Sequence, residues 1–156
     1  MLRGVYALVI TLKKEASLPI KTLGNSVLKP GCLVYVGSAM GTGSTNLKNR
    51  IRRHFRREKK VHWHIDHLLT DTSRLAFAVW AESRIPMECR LIQRLVEFVD
   101  IIPETNGFGA SDCSEGCYSH LLRYTGGGEI REILEDAFRS LRMIPYVTLD
   151  GFLEAS

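Results

Sequence analysis

The sequence predicts a single α/β domain, in which buried strands and amphipathic helices share one core. Three segments, GVYALVIT at residues 4–11, LVYVG at 33–37 and LAFAVWA at 75–81, are short, apolar and rich in β-branched or aromatic residues. Such segments are typical of strands that are buried on both faces of a sheet. With 156 residues, of which 45% are hydrophobic, the chain is expected to form one core rather than two.

The segment between the first two predicted strands is interpreted as a loop or hairpin insertion. It covers residues 13–31 and contains a Gly-Asn pair and a Pro-Gly pair, both of which favour turns. One more short strand fits between these turns. The insertion accounts for most of the 28 residues that separate Tyr6 from Tyr35.

The first predicted helix covers residues 46 to about 57. Leu47, Ile51 and Phe55 recur at every fourth position and form a narrow apolar stripe. Asn46, or Thr45 before it, is suited to cap the helix start, because its side-chain oxygen can accept a hydrogen bond from an unpaired backbone N–H. The rest of the helix surface carries mainly cations.

Two further helices are expected before residue 100. Apolar residues within 61–69 follow helical spacing, so the segment HWHIDHLL is predicted as a second helix. A third helix begins near Pro86, a residue favoured in the first turn, and is expected to run for about four turns. Its predicted buried residues are Leu91, Ile92, Leu95, Val96 and Val99.

Three consecutive glycines at residues 126–128 are interpreted as a boundary within the chain. We therefore predict a main domain over residues 1–125 and a C-terminal helical appendage over residues 126–156. The appendage carries three arginines against six acidic residues and has one clear helical pattern, between Ile130 and Leu141. A contact with a partner protein and a lid over the core are both compatible with it.

Positive charge is concentrated in one short stretch. Residues 48–60 contain eight lysines and arginines against a single glutamate, a net +7, whereas the whole chain carries +4. A solvated helix face is the ordinary explanation of a charge run, but so little anionic compensation favours contact with phosphate, and hence nucleic acid as a partner. The candidate nucleic-acid-binding residues are Lys48, Arg53, Arg56, Arg57, Lys59, Lys60 and His64.

The protein is expected in the cytoplasm without a membrane partner. The apolar run over residues 4–12 is too short to span a bilayer, and no cleavage site of a signal peptide follows it. Free thiols are then the default for the four cysteines, because the cytoplasm is reducing.

A structural zinc site is a further possibility, although the spacing is not one of the strong forms. Cys113, Cys117 and His120 are loosely compatible with a zinc knuckle, and His64 or Cys89 could complete four ligands. Simple packing, loop hydrogen bonds or a disulfide are the alternatives for this cluster.

Several short motifs, taken in order, resemble the GIY-YIG nuclease superfamily. GVY at residues 4–6 and YVG at 35–37 resemble the two halves of its signature, with valine in place of isoleucine. Residues 50–54 supply an arginine, an apolar residue and a histidine at the spacing of its helix pattern. Glu88, which opens the predicted third helix, matches its metal-binding glutamate.

The segments HWHIDHLL, ECRLI and GFGASDCSEGCYSHL resemble one prokaryotic branch of that superfamily, domain of unknown function 123. This resemblance covers roughly residues 3–125. Proteins of this branch occur alone or fused to endonuclease III-type repair proteins, so the resemblance implies a connection with DNA repair and a repair protein as a partner. It also implies a small central sheet, mixed or antiparallel, flanked by helices.

The resemblance also implies a role for each matched residue in cleaving a phosphodiester bond. Tyr6 would be the general base or position the attacking water, and Tyr35 would line the site as a hydrogen-bonding partner. Arg50 would stabilise charge that develops on the phosphate oxygens, with His54 nearby as a hydrogen-bond donor or proton relay. Glu88 would hold a single Mg²⁺ or Mn²⁺ ion.

The function expected from these residues is therefore that of a metal-dependent DNA endonuclease. Tyr6 and Tyr35 also fit the ordinary role of half-buried aromatic residues in a sheet. A non-catalytic nucleic-acid-binding adaptor that kept the fold is the main alternative, and a zinc-stabilised interaction module is a third.

The charge concentration makes the affinity for DNA testable by salt titration. If four to seven of the eight clustered cations meet phosphates, the logarithm of the association constant should fall with the logarithm of salt concentration at a slope of about −3 to −6. Fluorescence anisotropy of a labelled duplex over a range of NaCl concentrations measures this slope. An affinity that does not respond to salt would contradict phosphate contact by this segment.

Overall fold

The computed structural model describes residues 2–17, 27–41, 46–56, 69, 73–104 and 119–153. Within them lie three helices, α1 (Leu47–Phe55), α2 (Glu88–Leu95) and α3 (Ile130–Ser140). The strands are β1 (Gly4–Leu12), β2 (Ala16–Ser17), β3 (Val27–Leu28), β4 (Gly31–Ala39), β5 (Ser73–Glu82), β6 (Ile101–Pro103), β7 (Leu121–Tyr124) and β8 (Tyr146–Thr148).

Six of these strands form one sheet in the order β6-β7-β4-β1-β5-β8, and every neighbouring pair is antiparallel. The sheet confirms the predicted α/β class and the three predicted strands. β1 pairs along its whole length with β4 on one side and β5 on the other. A continuous apolar strand in this position is expected, because its two neighbours and the helices beyond them remove it from water.

The two faces of the sheet bury different residues of β1, as the alternation of side chains along a strand requires. Val5, Ala7 and Val9 face a core that is covered by α2 and α3. Tyr6 and Leu8 face a second core that is covered by α1. The sheet thus separates the basic helix from the other two helices.

Helix α1 begins where the sequence predicts. The side chain of Asn46 accepts a hydrogen bond from the backbone N–H of Asn49 at 2.8 Å, which makes Asn46 the N-cap. The backbone N–H of Leu47 donates to the carbonyl of Leu2 at 2.9 Å. The second of these bonds joins the start of α1 to the residues that precede β1.

Helix α2 is shorter than predicted. It covers eight residues instead of about four turns, and Val96 and Val99, expected to be buried, are 37% and 90% exposed. The physical reason is a competing strand, because Ile101 pairs with Tyr124 and the chain must turn beforehand. Helical spacing alone cannot reveal that tertiary demand.

The C-terminal segment shares the core of the main domain. Ile130, Leu134 and Phe138 of α3 are buried together with residues of α2 and β1. β8 pairs with β5 and forms one edge of the sheet. The part predicted as an appendage that the structure describes therefore contributes both a helix and a strand to the fold.

The insertion after β1 contains a hairpin-like pair, because β2 and β3 form a two-stranded antiparallel ribbon. The hairpin interpretation is confirmed for these residues. The predicted helix over HWHIDHLL lies outside the described residues, apart from Leu69. No helix in the described ranges is long and apolar enough to cross a membrane.

Arg123 joins three separate segments of the chain. Its guanidinium donates to Glu104 at 2.7 and 2.9 Å and to the carbonyls of Pro30 and Lys29 at 3.0 and 2.8 Å. The hydrogen bond with Glu104 raises the pKa of Arg123. Because both charged side chains are only 15% exposed, water cannot easily replace these contacts.

Replacing Arg123 with methionine should destabilise the fold by about 2–3 kcal/mol, because Glu104 and the two carbonyls lose their charged donor. Urea denaturation followed by circular dichroism measures the change. Arg131→Met is the matched control, since Arg131 is 53% exposed in its pair with Glu135 and its loss should cost less than about 1 kcal/mol. Equal destabilisation by both variants would contradict the special position of Arg123.

Candidate functional site

Two tyrosines from neighbouring strands lie on the same face of the sheet, above a glycine. Tyr6 of β1 is opposite Gly37 of β4, and Tyr35 lies two residues before that glycine, so all three share a face. The ring centroids of the tyrosines are 6.5 Å apart. A Cβ at position 37 would lie 2.6 Å from the Tyr6 hydroxyl and 3.2 Å from the Tyr35 ring. Only glycine leaves room for both phenols.

His54 reaches the same place from helix α1. Its Nε2 lies 2.8 Å from the Tyr6 hydroxyl, in a hydrogen bond between two side chains that are each 2% exposed. The His54 ring centroid is 5.3 Å from that of Tyr6 and 6.2 Å from that of Tyr35. The Tyr6 hydroxyl therefore has a group within reach that can take or give a proton.

Arg50 lies one turn before His54 on α1 and points towards the end of β4. Its Nη1 donates a hydrogen bond of 2.7 Å to the backbone carbonyl of Ser38, the residue after Gly37. This bond fixes the half-buried guanidinium beside the tyrosines. A fixed positive charge in a partly desolvated place interacts more strongly with an anion than one in open water.

Glu88 comes from the other side of the sheet, where it opens helix α2. The residue is 8% exposed, and its Oε2 atom is buried with no hydrogen-bond partner among the described residues. None of the ion pairs between described residues includes it. An ionised carboxylate in such a place is costly unless a cation or donor satisfies it.

Residues from both faces of the sheet line one cavity of about 260 Å³. It is lined by Tyr6, Tyr35, Gly37, Ser38, Met40, Arg50, Glu88 and His120. Four of the five residues chosen as catalytic candidates from the sequence thus line a single cavity. The fifth, His54, is not part of the lining and contacts Tyr6 instead.

His120 is a lining residue that the sequence indicated only as a possible zinc ligand. It lies just before β7, is 2% exposed, and its backbone carbonyl accepts a hydrogen bond from Val36 at 2.9 Å. Strand pairing between β7 and β4 therefore brings it to the tyrosines. No local motif signals this pairing, so sequence reasoning missed its place in the site.

The cysteines only partly match their prediction. Cys89 is disulfide-bonded, so the expectation of a free thiol is wrong there, and its sulfur is not available as a zinc ligand. Folding can bring together sulfurs that are far apart in sequence, which spacing along the chain does not show. Cys32 is a free thiol whose pKa is raised by burial and partly lowered again by Arg123.

The zinc prediction is largely beyond what the structure describes. Cys113 and Cys117 lie outside the described residues, and His120 lines the cavity. Among the residues that the structure does describe, no group of three or more histidines, cysteines or acidic residues is arranged to hold a metal ion.

The described part of the basic segment presents charge on the outer side of α1. Lys48 and Arg56 are exposed and Arg53 is half-buried. The guanidinium of Arg52 lies 3.5 Å from the ring centroid of Phe152, so the C-terminal segment contacts this helix. The other candidate nucleic-acid-binding residues, Arg57, Lys59, Lys60 and His64, lie outside the described residues.

The fold and the cavity together define a small α/β domain with a charged, aromatic-lined site at the end of its central strands. The chain matches the family model described as domain of unknown function DUF123 over residues 5–143, and it belongs to that family. Comparisons with curated proteins and with solved structures found no significant match.

Replacing Gly37 with alanine should separate the two phenols, because the new methyl group would lie within contact distance of both rings. Overpacking of this kind costs about 1–3 kcal/mol. Urea denaturation measures the loss, and near-ultraviolet circular dichroism reports the tyrosine environment. Gly127→Ala is the control, since nothing lies within 4 Å of a Cβ placed there. An unchanged tyrosine signal in the Gly37 variant would contradict this packing.

Proposed function

We propose that this protein is a divalent-metal-dependent endonuclease of the GIY-YIG superfamily that hydrolyses phosphodiester bonds, with DNA as its substrate. The observation that carries the proposal is the convergence of Tyr6, Tyr35, Arg50 and Glu88 in one cavity. These residues come from two strands and two helices. The sequence motifs that indicate them contain no information about their positions in space.

The chemical composition of the cavity supports phosphodiester hydrolysis. It combines the guanidinium of Arg50, the buried carboxylate of Glu88 and two phenols. One of these phenols, that of Tyr6, is hydrogen-bonded to His54. Phosphoryl transfer needs stabilisation of negative charge on the phosphate and a group that positions or deprotonates water. A cavity of about 260 Å³ has room for a phosphate group and water.

Glu88 fits the role of the residue that holds a magnesium or manganese ion. Its Oε2 is buried without a partner among the described residues, and carboxylate oxygens are preferred ligands of both ions. When bound, the ion supplies positive charge that neutralises the phosphate undergoing attack. The remaining ligands would be water and phosphate oxygens, because a single carboxylate leaves most of the coordination sphere open.

Arg50 would contact a non-bridging oxygen of the phosphate. Its guanidinium is already held by the Ser38 carbonyl, so little conformational freedom is lost when substrate binds. Negative charge grows on the phosphate oxygens as water attacks, and a prepositioned cation stabilises that charge more than it stabilises the ground state.

Tyr6 and His54 would act together on the attacking water. Tyrosine has a reference pKa of about 10, so it is a weak base at neutral pH unless a neighbour takes its proton or stabilises the phenolate. The bond of 2.8 Å to His54 Nε2 supplies a neighbour that can take this proton. Tyr35 would line the path of the water and donate a hydrogen bond to it.

The exposed cations of α1 give the substrate a place to bind. Arg50 and the exposed Lys48 lie on α1, and the exposed Arg56 is its C-cap. A DNA backbone that contacts Lys48 and Arg56 therefore passes near the cavity. Phosphate contacts of this kind position DNA without reading its sequence. We therefore expect selection by DNA structure rather than by base sequence.

The proposal is tested by incubating the purified protein with branched, nicked and single-stranded DNA and Mn²⁺. Glu88→Gln and Tyr6→Phe should each lower the single-turnover cleavage rate by roughly 10²–10⁴-fold while DNA binding is retained, because they remove chemistry rather than charge on the outer surface. Glu97→Gln is the matched control, since Glu97 lies just beyond α2 and its side chain is 65% exposed.

Two results would contradict the proposal. Wild-type protein that binds DNA but never cleaves it would identify a non-catalytic adaptor. Cleavage that persists in the Glu88 variant, or that does not depend on a divalent ion, would remove the assigned site from the reaction.

A further inference from the structure

We propose that His120 is a catalytic residue that donates a proton to the oxygen leaving the phosphorus atom. This inference rests on the hydrolytic function proposed above and adds a residue for which the sequence indicates no catalytic role. Its starting point is that His120 lines the same cavity as Tyr35, Arg50 and Glu88.

The position of His120 is fixed from both sides. Its own carbonyl accepts the backbone N–H of Val36, which lies between Tyr35 and Gly37 in β4. The hydroxyl of Ser119 both accepts a hydrogen bond from the N–H of Leu121 and donates one to its carbonyl, each at 3.0 Å. A side chain that is 2% exposed on such a backbone has little freedom to leave the cavity.

The reaction needs a proton donor that the other described residues of the cavity do not provide. The departing sugar oxygen carries a full negative charge when its bond to phosphorus breaks, and protonation in the transition state makes that step easier. A guanidinium does not give up its proton in proteins, which excludes Arg50. In the proposed function Glu88 would hold the ion, and Tyr6 with His54 would act on the water.

Among the described residues that line the cavity, two side chains with ionisable protons then remain, Tyr35 and His120. The reference pKa of a phenol is about 10 and that of an imidazolium about 6.5, so an imidazolium is the stronger acid of the two. The efficiency of a general acid is greatest when its pKa lies near the working pH. Chemistry therefore favours His120 over Tyr35.

The proposed step balances as follows. The water oxygen forms a bond to phosphorus and gives one of its two protons to the Tyr6–His54 pair, which later releases that proton to solvent. The bond between phosphorus and the leaving oxygen breaks, and the electron pair of that bond stays on the oxygen. This oxygen takes a proton from the His120 imidazolium, which becomes neutral imidazole and is protonated again by solvent.

A substrate with a better leaving group separates this role from the others. In a bridging phosphorothiolate, sulfur replaces the leaving oxygen, and a thiolate departs without needing a proton. Substrates with sulfur in the 3′ or the 5′ bridging position cover both possible directions of cleavage. Wild type, His120→Gln and Arg50→Gln are compared on the oxygen and sulfur substrates in single-turnover reactions with Mn²⁺.

His120→Gln should slow cleavage of the oxygen substrate by roughly 10²–10⁴-fold, the usual contribution of a general acid, and should cleave one of the sulfur substrates at nearly the wild-type rate. Arg50→Gln should be slow on both, because it removes stabilisation of the phosphate rather than a proton. Mn²⁺ affinity measured by isothermal titration calorimetry should be unchanged in His120→Gln.

Three results would overturn the role of His120. The first is that His120→Gln is slowed equally on the oxygen and sulfur substrates. The second is that this variant cleaves the oxygen substrate at the wild-type rate. The third is that it loses affinity for Mn²⁺, which would make His120 an ion ligand. Failure of the proposed function would give a different result, because the wild-type protein would then cleave no oxygen substrate. That result would also overturn the role of His120.

Discussion

The register between β1 and β4 is the constraint on which the candidate site depends. It places Tyr6 opposite Gly37, so that the missing side chain at residue 37 becomes the space in which two phenols approach each other. A shift of one residue would turn Tyr6 to the opposite core and away from His54. The register therefore determines which aromatic groups share a face, and the glycine determines how closely they meet.

The site also depends on how the two faces of the sheet are covered. Helix α1 supplies Arg50 and His54 on one face, whereas Glu88 belongs to α2, which packs on the other. The cavity lies where the sheet leaves an opening between its faces, because β7 pairs with β4 only as far as Tyr35 and the lining includes Gly37 and Ser38 beyond that pairing. Burial of the apolar residues of α1 and α2 thus fixes the charged groups of the site, which links stability of the core to geometry of the cavity.

Sequence reasoning predicted the elements that follow a simple period and missed those decided by distant pairing. The strand around Tyr6 and the helix capped by Asn46 are clear because their apolar patterns are local. The length of α2 was overestimated because the pairing of β6 with β7 ends that helix early. His120 reaches the cavity through the same kind of long-range pairing, and no spacing along the chain indicates it.

Arg50 and Glu88, the two charged residues in the described lining of the cavity, do not pair with each other. Arg50 donates to a backbone carbonyl, and no ion pair among the described residues joins it to Glu88. Such a pair would make the carboxylate less available to a cation. Kept apart, they suit a ligand that brings both signs, as a phosphodiester accompanied by a divalent ion does. In the proposed function, a bound divalent ion would remove the cost of leaving Oε2 of Glu88 without a partner among the described residues.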